Sequence, residues 1–109
     1  IQQDDMEKVM PAYKEADMVV FASPIYYFDM TAQMSAAIQR VYAIGKPAAS
    51  KAALLLSSAS PGTQNGAITT YESILAFTGI ENCGVICAAG EENGSEAKLA
   101  EVRAFAAAL

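Results

Sequence analysis

Three short apolar runs constrain this chain more than any other feature: Met18-Val19-Val20-Phe21-Ala22, Ala52-Ala53-Leu54-Leu55-Leu56 and Cys83-Gly84-Val85-Ile86-Cys87-Ala88-Ala89. Each is too short for an ordinary helix and lacks polar alternation, the pattern of parallel strands covered on both faces. Each gives way to a loop rich in Ser, Pro or Gly: Ser23-Pro24, then Ser57-Ser58-Ala59-Ser60-Pro61-Gly62, then Gly90-Glu91-Glu92-Asn93-Gly94. A longer segment of helical period follows each loop. Such alternation implies parallel pairing through right-handed crossovers, hence an α/β domain with helices on both faces of an open sheet. At 109 residues, 53% of them hydrophobic, the chain has the size and apolar content of one domain with a real core, expected over 1–109.

Asp4 or Asp5 is placed to cap a helix through Met6, Val9, Met10 and Tyr13, with Pro11 expected to kink or shorten it. The second helix is expected from about Thr31 to Ile44, with Met30, Met34, Ile38, Val41 and Tyr42 on one stripe and Gly45 as its stop. A third starts near Asn65, carries Ile68, Tyr71, Ile74, Leu75 and Ala76, and ends at Gly79. The last starts near Ser95 and carries Leu99, Val102, Ala106 and Leu109. Methionines at this spacing read as core filler.

Strands near 18–22, 52–57 and 83–89 make a thin sheet. The first is apolar on both faces, so it is expected to be central, with a further neighbour that these residues do not supply. Either a partner chain covers that edge, as in a homo-oligomer, or a strand lies upstream. The chain begins at Ile1 rather than Met, and the expectation is a domain that is N-terminally truncated.

Several function classes are excluded by pattern. Twelve acidic against seven basic residues give a net charge of −5, without the clustered Lys and Arg that nucleic-acid binding requires. No apolar run approaches the roughly 20 residues of a membrane span, and no secretory signal pattern appears. Cys83 and Cys87, four apart on a strand, would share a face about 13 Å apart at ~3.3 Å per residue. That exceeds the ~7 Å reach of a disulfide, so they are expected to be buried free thiols in a reducing cytoplasm. With no histidine, Ser-His-Asp and Cys-His catalysis are out, as are the usual zinc sites. Neither a Gly-x-x-x-x-Gly-Lys loop nor a Gly-x-Gly-x-x-Gly fingerprint occurs. No catalytic side chain and no metal ligand is singled out.

What remains is the loop Ser23-Pro24-Ile25-Tyr26-Tyr27-Phe28-Asp29-Met30-Thr31 at the end of the first strand. Open parallel sheets bind ligands outside the carboxyl ends of their strands, and three successive aromatics are unusual in a loop. A planar aromatic ligand against Tyr26 or Tyr27 accounts for them, with Pro24 stiffening the backbone. Packing of the rings under a neighbouring subunit, or as a roof over the following helix, accounts for them equally well.

The stretch Glu15-Ala16-Asp17-Met18-Val19-Val20-Phe21-Ala22-Ser23-Pro24-Ile25-Tyr26-Tyr27-Phe28, followed by Thr31-Ala32-Gln33-Met34-Ser35-Ala36-Ala37-Ile38-Gln39-Arg40, resembles the NAD(P)H-dependent FMN reductase and iron–sulfur flavoprotein family. The resemblance covers Asp4 to about Pro47 and continues more loosely beyond. It implies a flavodoxin-like, three-layer open parallel sheet. It implies FMN as cofactor and NAD(P)H as reductant, with the loop Ser23, Pro24, Ile25, Tyr26, Tyr27, Phe28 on the isoalloxazine ring, largely through main-chain amides. It also implies that Ser58, Ala59, Ser60, Pro61 and Gly62 border that ring, although an ordinary Gly/Pro turn explains those residues as well. The family's phosphate-binding loop, and the cysteine cluster of its iron–sulfur branch, would both lie upstream of Ile1. Flavodoxin-like strand order would set the missing first strand beside Met18–Ala22, the edge that the pattern leaves open.

Two readings of function follow. The first is an FMN-dependent oxidoreductase passing electrons from NAD(P)H to a small-molecule acceptor, in which the cofactor does the chemistry and no side chain need act as acid or base. The second is a non-catalytic α/β module whose aromatic loop makes subunit or partner contacts. A receiver-like signalling domain ranks lower, because the positions after these strands offer Ser, Pro and Gly rather than an acidic pocket.

Overall fold

Helices and strands alternate as the apolar runs require. The computed structural model describes residues 3–109, so the domain expected over 1–109 is seen from Gln3, and Ile1 and Gln2 lie outside the described residues. In chain order the elements are α1 (Met6–Glu15), β1 (Met18–Tyr26), β2 (Asp29–Met30), α2 (Ala32–Val41), a 3-10 turn (Tyr42–Ile44), β3 (Lys51–Ser58), α3 (Asn65–Thr78), β4 (Glu81–Ala89), a second 3-10 turn (Gly90–Glu92) and α4 (Glu96–Ala107). The sheet order is β2-β1-β3-β4. β1, β3 and β4 are parallel, with Phe21 opposite Leu54 and Leu54 opposite Val85. Their carboxyl ends at Tyr26, Ser58 and Ala89 therefore share one rim of the sheet.

On one face, Phe21, Leu54 and Leu56 of the sheet pack against Ala67, Tyr71 and Leu75 of α3. The Tyr71 ring meets Phe21 edge-on at 5.9 Å between centroids, and its hydroxyl donates to Asn82 Oδ1 at 3.0 Å. Burial, aided by neighbouring Cys83 and Glu72, pushes the Tyr71 phenol up to about 12. On the other face α4 approaches β4 closely. A Cβ on Gly84, whose φ is +138°, would stand 2.8 Å from the Phe105 ring. The register slips there, setting Cys83 and Gly84 opposite Ala53, so the strand's bulge and its glycine together admit the helix.

The helix starts follow the capping chemistry. Met6 N–H donates to Asp4 Oδ1 (3.0 Å), Met34 N–H to Thr31 Oγ1 (3.1 Å) and Lys98 N–H to Ser95 Oγ (3.2 Å). α3 ends on Gly79 in the left-handed conformation, as expected.

Elsewhere the structure departs from the pattern. β1 runs on through Ser23-Pro24-Ile25-Tyr26, a stretch that reads as loop. Pro24 is tolerated because β1 is an edge strand at that point, paired on one side with Ser57 of β3. Asp29 and Met30 add a short antiparallel strand, so Met30 lies not on the α2 stripe but in the sheet, 5% exposed. α2 stops at Val41 and tightens into the 3-10 turn before Gly45 (φ +72°). Pro11 sits inside α1 without shortening it, because it lies on an exposed face where the carbonyl that it leaves unbonded meets water. β1 is covered on one face only. Val20 is 51% exposed, and among the described residues the outer edge pairs only at Ile25 and Tyr26, with β2. No α4 residue is fully buried, Leu99 and Ala106 included, because α4 leans on the sheet from one side and nothing described covers its other flanks; Leu109 falls past the helix end and is exposed. Cys83 and Cys87 are free but half-buried rather than buried, on the last strand of the sheet order.

Candidate functional site

The site grows from the hairpin that ends β1. Ile25 pairs with Met30 and Tyr26 with Asp29, leaving Tyr27 and Phe28 as a two-residue loop. Their φ values are +55° and +72°, the left-handed pair that a type I′ turn demands and that Asn-Gly usually supplies. A Cβ in that region costs about 1–2 kcal/mol per residue. Neighbouring contacts hold the turn in place. Asp29 Oδ1 accepts from Met30 N–H at 2.7 Å, and Ser23 Oγ accepts from Thr31 N–H at 3.1 Å while donating to the Pro24 carbonyl at 2.8 Å. Gly66, in the first turn of α3, lies so near that a Cβ there would stand 2.6 Å from the Phe28 carbonyl oxygen. The strained residues nonetheless face water: Tyr27 is 96% and Phe28 61% exposed, their rings edge-on at 6.0 Å.

The loop after β3 stands across from this turn, and hydrogen bonds fix it from below. The carbonyl of Ser60 accepts from Ser58 Oγ (2.8 Å) and Thr63 Oγ1 (3.0 Å). Buried Gln64 donates through Nε2 to Ser58 Oγ at 2.7 Å. From the loop after β4, Asn93 Nδ2 donates to the Ser58 carbonyl at 2.9 Å and to that of Gly90 at 3.0 Å. The carbonyls of Ser58 and Ser60 are thus committed, whereas among the described residues the N–H groups of Ser60 and Gly62 have no acceptor.

Between the two loops lies a cleft of about 140 Å³, lined by Ile25, Tyr27 and Phe28 on one side and Ser58, Ala59, Ser60 and Thr63 on the other. No charged residue lines it. The other expected site residues lie elsewhere. Ser23 and Pro24 border a separate groove shared with Lys98 and Val102 of α4. Tyr26, Pro61 and Gly62 are exposed outside the cleft lining. Sequence reasoning did not single out Thr63, Gln64, Gly66 or Asn93. Asn93 was within reach, since its loop follows a parallel strand and so shares the rim. Gln64 and Gly66 had no signal, because their roles depend on partners met only in three dimensions. Among the described residues there is no cluster of His, Cys, Asp or Glu able to hold a metal ion, and no helix is long and apolar enough to cross a membrane.

The family model for NADPH-dependent FMN reductase matches residues 1–91. The chain belongs to that family. A curated relative, the iron–sulfur flavoprotein of Archaeoglobus fulgidus, is 42% identical over 45 residues, which are 41% of this chain and 20% of that protein. Among solved structures, the Trp repressor binding protein from Bacillus subtilis superposes with a TM-score of 0.69 at 19% identity, over 79% of this chain and 63% of that one. At that identity the likeness speaks for the fold, which is flavodoxin-like. The chain spans about a fifth of the length of the iron–sulfur flavoprotein and under two thirds of the Bacillus protein. In this member of the family, the aromatic hairpin and the Ser58 loop stand at the strand ends where open α/β sheets receive ligands.

Proposed function

We propose that this domain holds the isoalloxazine ring of FMN between the Tyr27-Phe28 turn and the Ser58–Gly62 loop, and that the protein uses it to carry electrons from NAD(P)H to a small-molecule acceptor. One observation carries this reading: a strained pair of aromatics held out in water opposite a loop whose Ser60 N–H has no acceptor among the described residues. A planar ring set against Tyr27 and Phe28 removes exposed aromatic surface from water, and backbone strain of this kind concentrates at ligand sites.

The residues present fit the ring better than the whole nucleotide. The cleft's 140 Å³ falls below the roughly 300–1,000 Å³ of a pocket that encloses its ligand, so it grips part of the ring and leaves the rest open. Its hydroxyls on Ser58 and Thr63 are turned to the Ser60 carbonyl. That leaves the N–H and hydroxyl of Ser60, without acceptors among the described residues, as donors for the polar edge of a heteroaromatic ring. No cationic side chain lines the cleft to meet a phosphate. Bound there, FMN would supply the hydride and electron chemistry. The chain's part is to stack against the ring, orient it through the Ser58–Ser60 loop and shield one side of it from water. The site needs no general base, in keeping with a sequence that lacks histidine.

FMN titration into the complete protein, followed by flavin absorbance and fluorescence quenching, tests the reading. Tyr27→Ala or Phe28→Ala should weaken binding by about 1–3 kcal/mol, the usual worth of a stacked ring, or roughly 5- to 150-fold. Tyr26→Ala, outside the cleft, should stay within about twofold of the parent. Failure of the complete protein to bind FMN, or a loss confined to Tyr26→Ala, would falsify it.

A further inference from the structure

The molecule has a second cleft that the flavin reading does not use. It measures about 450 Å³ and opens between α1, α2 and α3 on the core face of the sheet. Phe21 of β1 forms its floor, buried and fixed by its edge-on contact with Tyr71. Ile38 and Val41 of α2 wall one side, and Ile74 of α3 walls the other. Both walls are apolar ridges at helical spacing, which ordinarily close to an interaxial distance of about 8–10 Å. Here α2 and α3 scarcely touch, because Phe21 and Tyr13 stand between them. At the mouth, Tyr42 and Phe77 stack at 6.3 Å with their planes 27° apart, each 74% exposed. A second pair of aromatics is therefore held in water at the edge of an apolar hollow.

The lining states what chemistry fits. No charged residue borders the hollow. Ser73 and Thr78 spend their hydroxyls on carbonyls of their own helix. Three polar side-chain groups stay uncommitted among the described residues: the Tyr13 and Tyr42 hydroxyls and the Gln39 amide. Tyr42 is spread at the mouth, so Tyr13 is the hydroxyl nearest the floor. Burial holds the Tyr13 phenol above its ordinary value, favouring the neutral hydroxyl that can hydrogen-bond. The volume lies within the roughly 300–1,000 Å³ of small-molecule pockets, and a mainly apolar wall with a few convergent polar groups is their usual make-up. A protein partner would call for a polar rim with about one hydrogen bond per 100–200 Å², and this rim is a ring pair.

We infer that this cleft is a binding site for an uncharged, planar aromatic molecule bearing one hydroxyl or carbonyl, its ring between Ile38 and Ile74 above Phe21 and its polar atom on Tyr13. The site is independent of the flavin reading. Its floor residue precedes Ile25 by four strand positions, about 13 Å at ~3.3 Å per residue, and the two clefts share no lining residue.

The test uses 2-naphthol as the probe on the complete protein, read by calorimetry and by methyl NMR shifts. Saturable binding with shifts at Ile38, Val41 and Ile74 is expected. Ile74→Trp, which fills the hollow, should weaken it at least about tenfold. Tyr13→Phe, which keeps the ring, should weaken it roughly 2- to 13-fold, the worth of one hydrogen bond, and naphthalene itself should be indifferent to that change. Tyr27→Ala should leave 2-naphthol binding unaltered even where it abolishes FMN binding. The inference is overturned by an absence of saturation, by shifts confined to Ile25, or by equal affinity in Ile74→Trp and Tyr13→Phe with both folded. It is also overturned by a stable dimer that Tyr42→Ala converts to monomer without exposing a 2-naphthol site.

Discussion

Replacing Tyr27-Phe28 with Asn-Gly should make the protein more stable and a poorer flavin binder. Both residues sit at positive φ, where a Cβ costs about 1–2 kcal/mol; glycine sheds that cost outright and asparagine offsets most of it through local side-chain hydrogen bonding, so the relief contributes about 3 kcal/mol across the turn. Three losses oppose it. Phe28 is 61% exposed, so its removal forfeits only part of the 1.5–3 kcal/mol of a fully buried ring, about 1 kcal/mol. The edge-on contact with Tyr27, itself in water, contributes about 0.5 kcal/mol. The added glycine loosens the unfolded chain by about 0.5–1 kcal/mol. The balance is a gain of about 1 kcal/mol, or a rise of about 4 °C in Tm for a domain of this size. Thermal and urea melts of the substituted protein beside the parent measure the gain, and FMN titration measures the accompanying loss, expected to exceed about tenfold. A lower Tm with undiminished flavin affinity would refute the reasoning, since it would mean that the rings pack for stability and touch no ligand.

Two further outcomes follow from single contacts. Gly66→Ala gains up to about 1 kcal/mol in helix propensity but sets a methyl 2.6 Å from the Phe28 carbonyl; because that neighbour is backbone, the 1–3 kcal/mol of overpacking should prevail. Melts should show net loss and FMN affinity should fall, whereas a more stable protein with parental affinity would show that the turn yields freely. Tyr71 should make the fold sensitive to alkali: its phenol titrates near 10 when unfolded and is raised to about 12 by burial in the fold. Its contribution is therefore whole below pH 10 and lost as pH rises from about 10 through about 12; urea midpoints across that window should drop more steeply for the parent than for Tyr71→Phe.

Much of the scaffold was legible because a parallel strand buried between helix layers has to be apolar throughout. β3 and β4 announce themselves in that way, and α3 is bounded by Asn65 and Gly79 as its composition suggests. β1 was legible only to Ala22, because Ser23-Pro24 looks like a terminator. Its continuation through Pro24 depends on pairing with β3 on one side, where a missing N–H does no harm, and Ile25 and Tyr26 then pair with β2. The hairpin was hidden for a related reason. Tyr-Phe carries none of the φ > 0 preference of Asn-Gly, so nothing local reveals that the chain reverses there, and Met30 falls by coincidence on the period of α2. The two facing loops were legible from the strand-end rule. The residues that fix them were not: the Asn93 contact to Ser58 spans 35 positions, and no local pattern encodes it.

The legible and illegible parts meet at the turn, which cannot sustain its own conformation. Strain of about 2–4 kcal/mol over two residues has to be balanced by the hydrogen bonds of Asp29 and Ser23 and by the abutment of Phe28 on Gly66. The last of these belongs to the first turn of α3, and Gln64, at the N-cap of that same turn, holds Ser58 in the opposite loop. Both walls of the cleft therefore rest on the same helical turn. If that turn frays, the aromatic pair is released and the Ser58 loop loses its anchor together, so the geometry of the cleft should follow the order of the α3 N-terminus rather than that of either loop alone.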